Sequence, residues 1–154
     1  MATMSHIEVS RVIAADATTL YDLVTDLPKM GEWSPENDGG TWIKGATGPA
    51  VGARFEGANS NGSKSWTTTV TIDEADPGHS FVFRCAVGPI KVARWQYRFE
   101  PVDGGTRVTE TWDDQRGWFA KKVGGLASGV TDRATHNRAG MEATLANLAA
   151  AVER

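Results

Sequence analysis

The sequence predicts an α+β domain in which a curved antiparallel sheet of seven strands wraps a long C-terminal helix, with two short helices between strands 1 and 2. Three observations lead there. A β-branched run opens the chain, and six more short β-rich runs between Asn37 and Asp114 are separated by Gly-, Pro-, Asn- and Asp-containing turns, the pattern of a meander. After Asp114 the strand signal stops, and an Ala-rich stretch with apolar residues at helical spacing closes the chain. A curved sheet needs its concave face covered, and only the last helix is long enough to do it.

Ile7, Val9, Val12 and Ile13 form the first strand, which gives way at Asp16, a residue suited to cap a helix over 19–24. Leu20, Leu23, Val24 and Leu27 recur at spacings of three and four, so this helix is amphipathic, and Pro28 limits it. A second helical turn over 29–33 ends at Ser34-Pro35, because the residue before proline is pushed away from the α region. The six later strands centre on 40–44, 53–59, 66–74, 81–86, 92–100 and 106–113. Asn59-Ser60-Asn61-Gly62, Asp76-Pro77-Gly78, Gly88-Pro89 and Asp103-Gly104-Gly105 supply turn chemistry, which makes successive strands hairpin neighbours. The segment 118–152 is helical, with Met141, Leu145, Leu148 and Val152 in phase. Counted from Thr131 to Val152 the helix is about 33 Å long, and Gly124-Gly125 and Ser128-Gly129 predict a kink or fraying before it.

At 154 residues the chain has the length of one domain spanning 1–154, large enough to bury roughly two thirds of its unfolded surface. Sixteen Lys and Arg face nineteen Asp and Glu, and the basic residues are scattered, which argues against a nucleic-acid partner. One cysteine, Cys85, excludes an intrachain disulfide and, with three His, leaves too few ligands for a Cys-based zinc site. No phosphate-binding glycine loop, nucleophile elbow or metal spacing occurs, so no cofactor and no metal are expected. Met1 to Val9 lacks the pattern of a secretion signal, and nowhere do about 18 apolar residues run together, so the expected location is cytoplasmic without a transmembrane segment. The chain is expected to be a monomer or a homodimer.

Several stretches together resemble the polyketide cyclase/dehydratase branch of the START-like, Bet v 1-type (SRPBCC) superfamily. They are Leu20-Tyr21-Asp22-Leu23-Val24-Thr25-Asp26, Met30-Gly31-Glu32-Trp33-Ser34-Pro35 and Gly52-Ala53-Arg54-Phe55-Glu56-Gly57. They continue in Trp95-Gln96-Tyr97-Arg98-Phe99-Glu100-Pro101, Gly105-Thr106-Arg107-Val108-Thr109-Glu110 and Asn137-Arg138-Ala139-Gly140-Met141, followed by Thr144, Leu145 and Leu148. The resemblance covers nearly the whole chain. It implies the helix-grip fold, a pocket between sheet and helix, and relatives that bind or process lipids, polyketides, hormones or quinones. It does not imply one reaction, and no motif carries a catalytic residue across.

Period-2 alternation sorts the strand residues into faces. Trp95, Tyr97 and Phe99 share one; so do Phe81, Phe83 and Cys85; Trp66, Thr68, Val70 and Ile72; Val108, Glu110 and Trp112; and Phe55, Gly57 and Asn59. With Trp33 before Ser34-Pro35, and with Asn137 and Met141 on the covering helix, these aromatics and polar groups are the expected walls of a ligand pocket. The plainer reading of any single one is core packing. Glu110 is the most informative charge, because an inward carboxylate must find a partner or take up a proton. It is a candidate anchor or acid/base, the alternative being a pair with an arginine at the sheet rim. His136 is the second candidate base, one step round the helix from Asn137. Cys85, set in Phe-Val-Phe-Arg-Cys-Ala, is expected to be packing rather than nucleophile.

Three functions follow from these residues. The first is binding of a hydrophobic small molecule, such as a lipid, polyketide or quinone-like compound. The second is a cyclase, aromatase or dehydratase acting on a carbonyl-rich substrate through a pocket acid/base, which requires Glu110 and His136 to meet at one empty volume. The third is a protein-interaction module with a filled core, signalled by an exposed Trp33, Trp42 or Trp118.

Overall fold

The computed structural model describes residues 5–130 and 132–153. Strand β1 (His6–Ile13) leads into α1 (Ala17–Thr25) and a 3₁₀ helix (Leu27–Glu32). The strands β2 (Asn37–Ile43), β3 (Arg54–Asn61), β4 (Lys64–Asp76), β5 (Ser80–Val87), β6 (Ile90–Val102) and β7 (Gly105–Asp114) follow, then α2 (Trp118–Ser128) and α3 (Arg133–Val152). All seven strands form one antiparallel sheet in the order β1-β7-β6-β5-β4-β3-β2, so every neighbour but β1–β7 is a hairpin partner. This is the helix-grip arrangement of the α+β class, with the two short helices bridging from one sheet edge to the other.

Local chemistry sets the corners. Asp16 caps α1, its Oδ1 accepting a 2.7 Å hydrogen bond from the Thr19 amide. The helix then buries Leu20, Tyr21 and Val24 on one side. At Gly40 (φ 148°) a Cβ would stand 2.0 Å from the Glu56 carbonyl and 2.9 Å from the Phe55 ring, so only glycine lets β2 close on β3 and seat that ring.

The helical stretch after β7 is two helices, not one. Gly129 takes the left-handed conformation (φ 73°) and closes α2 with its amide on the Gly125 carbonyl, while the Ser128 hydroxyl donates to the Gly124 carbonyl. Asp132 then caps α3, accepting from the Thr135 amide and hydroxyl. Thr131, the expected start of the long helix, and Met1 to Met4 lie outside the described residues. At 20 residues α3 is about 30 Å long, and it buries Met141, Thr144, Leu145, Leu148 and Ala149.

The core is solid at one end. Tyr21 of α1 meets Phe81 and Phe99 edge-on, with ring centroids 6.3 and 5.9 Å apart, and Leu20, Val24, Val108, Leu145 and Leu148 are almost fully buried in the same cluster. The side chains do not fill the other end.

Candidate ligand cavity

A cavity of about 290 Å³ lies between the sheet and the two C-terminal helices. The sheet contributes Phe55, Gly57 and Asn59 from β3, Trp66, Thr68 and Val70 from β4, Phe83 and Cys85 from β5, Trp95 and Tyr97 from β6, and Glu110 and Trp112 from β7. These are the alternation sets, brought to one face by the antiparallel register that puts Phe83 opposite Trp95, Trp95 opposite Trp112 and Tyr97 opposite Glu110. Helix α3 supplies His136, Asn137, Gly140, Met141 and Thr144, and Leu27 and Met30 of the 3₁₀ helix border the same space.

Three expected wall residues lie elsewhere. Phe81 and Phe99 point to the correct face but sit at the filled end, against Tyr21. Trp33 ends the 3₁₀ helix and is partly buried in the core, its carbonyl accepting a 2.7 Å hydrogen bond from Asn147 Nδ2. Trp42 is also partly buried, against Phe55, whereas Trp118 is 74% exposed.

Glu110 is the chemically distinctive group. Its side chain is almost fully buried, and Oε1 has no hydrogen-bond partner among the described residues. No arginine pairs with it, so the rim ion pair weighed for it from the sequence is absent among the described residues. Burial pushes its carboxyl up to about 8, partly offset by the hydrogen-bonding influence of the adjacent Tyr97 hydroxyl. Tyr97 in turn is raised well above an ordinary phenol, first by burial and then by the Glu110 charge. Burial also pushes the Cys85 thiol up to about 12, which removes it as a nucleophile.

A polar cluster stands at a second place on the wall. Glu36 Oε1 accepts a 2.6 Å hydrogen bond from Arg133 Nη1, and Glu36 Oε2 lies 2.8 Å from His136 Nε2. Arg133 also donates to Asn137 Oδ1 at 3.3 Å and lies over the Trp66 ring, 5.7 Å from its centroid. On the sheet, Asn59 Nδ2 donates to Thr68 Oγ1 at 3.2 Å. Glu36 holds a positive φ of 74°, unusual for a residue with a side chain. His136 and Glu110 thus border one cavity from opposite walls, but His136 is tied to Glu36 and no hydrogen bond joins it to Glu110.

At the other rim Asp114 is buried and chelated by Arg116, whose amide, Nε and Nη2 donate at 3.0, 2.9 and 3.0 Å. Burial raises its carboxyl, but the Arg116 hydrogen bonds and charge outweigh burial and hold it below the usual range. Above this rim α2 turns Ala120, Val123, Gly124 and Ala127 toward the cavity. Glu36, Arg133 and these α2 residues were not anticipated as wall. Only Arg133 carried a local signal, lying one helical turn before Asn137.

Fold and cavity together define a helix-grip protein whose sheet and C-terminal helices enclose an apolar space. The chain belongs to the family described as polyketide cyclase/dehydrase and lipid transport, whose model matches residues 4–153. It is similar to the polyketide-cyclase-like protein Cgl2372 of Corynebacterium glutamicum, at 30% identity over 99% of this chain and 94% of that one, with a TM-score of 0.68. It shares the fold of Mll3558 of Rhizobium loti, at 21% identity, 96% coverage of each chain and a TM-score of 0.67. It also shares the fold of StfQ, a di-domain ARO/CYC from the steffimycin biosynthetic pathway. There the identity is 15%, the TM-score 0.73, and the match covers 96% of this chain and 50% of StfQ. No curated protein matches the chain at a significant level. Among the described residues no helix is long and apolar enough to cross a membrane, and no three His, Cys, Asp or Glu side chains are grouped to hold a metal.

Proposed function

We propose that this protein, working as one domain, binds a hydrophobic small molecule of the lipid, polyketide or quinone-like kind in the cavity between its sheet and its C-terminal helices. The observation that carries this reading is the unfilled space itself. Close packing is the rule inside proteins, yet about 290 Å³ is left open here, bordered by Phe55, Phe83, Trp95, Trp112 and Met141. The polar groups on the wall are gathered in the Glu36–Arg133–His136 cluster, at Asn59 and Thr68 and at Glu110, so that apolar surface between them can supply affinity while they supply orientation. The cavity also counts against an interaction module with a filled core.

A second reading is an enzyme of the cyclase or dehydratase kind, favoured by one specific feature: Glu110 is a buried acid at the cavity wall that holds its proton near neutral pH. It lacks the direct partnership with His136 that a two-group mechanism needs.

Titration with naphthalene derivatives, fatty acids and aromatic polyketides, followed by tryptophan fluorescence, tests the binding reading, because Trp66 and Trp95 border the cavity. Saturable quenching that is lost in Trp95→Ala supports it. An unsaturable response throughout the panel would contradict it.

A further inference from the structure

A buried, unpartnered polar atom on the cavity wall specifies what kind of apolar molecule fits. Resting on the ligand-binding reading, we infer that the Glu110 carboxyl group acts as a neutral hydrogen-bond donor to an acceptor oxygen of the ligand, so that the cavity selects an uncharged carbonyl compound over a carboxylate of the same shape.

Three observations carry this. Glu110 is 1% exposed and borders the cavity, and its Oε1 has no partner among the described residues. A buried polar atom left unmet is costly, and a ligand oxygen is the group that would meet it once the carboxyl is protonated. The arginines bordering the cavity are engaged, Arg116 by Asp114 and Arg133 by Glu36, which also contacts His136. No free positive charge therefore remains on the described wall to receive an anionic ligand, and a carboxylate entering beside Glu110 would give up its hydration in an apolar space with no cation to compensate it.

The neighbours of Glu110 are consistent with a proton held on its carboxyl. Val9 on β1 and Tyr97 on β6 flank it in the sheet, while Met141 and Thr144 face the cavity from α3. Of these only Tyr97 can titrate, and burial holds it neutral. The remaining titratable groups on the wall are Cys85, also held neutral, and the two engaged clusters. The carboxyl of Glu110 itself loses its proton only around pH 8.

The test uses three near-isosteric probes, 2-acetylnaphthalene, 2-isopropenylnaphthalene and 2-naphthoate, titrated calorimetrically into the wild type, Glu110→Gln and Glu110→Leu. In the wild type at pH 7 the ketone is expected to bind about three- to tenfold more tightly than the alkene, the value of one neutral hydrogen bond, and the carboxylate more weakly than either. Between pH 7 and pH 9 the ketone should lose about two- to fivefold in affinity as Glu110 ionises and stops donating. Glu110→Gln, whose amide still donates, should keep the ketone preference without the pH dependence; Glu110→Leu should lose both. Equal binding of ketone and alkene by the wild type, or preference for 2-naphthoate, overturns the inference and leaves the binding function standing. If none of the three binds, this inference falls, and the wider panel of fatty acids and polyketides decides whether the binding function falls with it.

Discussion

Glu36 Oε1 accepts a 2.6 Å hydrogen bond from Arg133 Nη1, joining residues 97 positions apart in the chain. Glu36 precedes β2 and Arg133 opens α3, so one carboxylate ties the start of the covering helix to the edge of the sheet, with His136 as its second partner. The Arg133 side chain is only 12% exposed and is left with poor solvation if that partner goes. Glu36→Ala is therefore expected to lower unfolding free energy by about 1–2 kcal/mol. It should also speed amide exchange in the first turns of α3 while leaving the C-terminal turns protected. Uniform loss of protection along α3 would contradict this role.

Glu110 gives stability a pH dependence of predictable sign. Its folded value of about 8 lies above the ordinary 4.5, so the native state holds a proton that the unfolded chain has already released. The native state is favoured fully below about pH 4.5 and progressively disfavoured as pH rises toward 8, by about 1.4 kcal/mol per pH unit in between. Urea unfolding of the wild type and of Glu110→Gln across this range should give curves that diverge, with the variant gaining relative stability as pH rises. Parallel curves would place Glu110 in a far more solvated setting than its burial indicates.

Cys85 borders the cavity yet is expected to be inert. With its thiol near 12, about one molecule in ten thousand carries the thiolate at pH 8. Alkylation by iodoacetamide should then be orders of magnitude slower in the native protein than in urea. Native labelling at a rate comparable to the unfolded chain would show an ionised and accessible sulfur.

The sheet was legible because its signals are local. Alternation of side chains and turn residues such as Asp76-Pro77-Gly78 and Asp103-Gly104-Gly105 define strands and hairpins within a few positions of themselves. Alternation also identified the cavity-facing set, but it gives a face and not a place along the strand. Phe81 and Phe99 share their face with Phe83 and Trp95, and only the docking of Tyr21 from α1 separates filled core from cavity. The break between α2 and α3 was visible as weak helix at Ser128-Gly129, yet the placing of Val123 and Ala127 of α2 on the cavity depends on tertiary packing. The Glu36–Arg133 pair left no trace in the sequence, since nothing local couples a turn before β2 to a helix a hundred residues later.

If the space under α3 is kept open for a ligand, filling it from Gly140 should expel that ligand. Gly140 borders the cavity from α3, and a Cβ placed there meets no atom within 4 Å. Glycine inside a helix costs about 0.5–1 kcal/mol relative to alanine, so a larger residue at this position should add stability as well as fill space. The decisive measurement pairs thermal unfolding of Gly140→Leu with its titration by 2-isopropenylnaphthalene, a probe that does not depend on Glu110. A higher Tm and an affinity at least about tenfold weaker than that of the wild type are expected. A more stable variant that binds the probe as tightly as the wild type would contradict this, because the ligand would then sit somewhere other than this cavity.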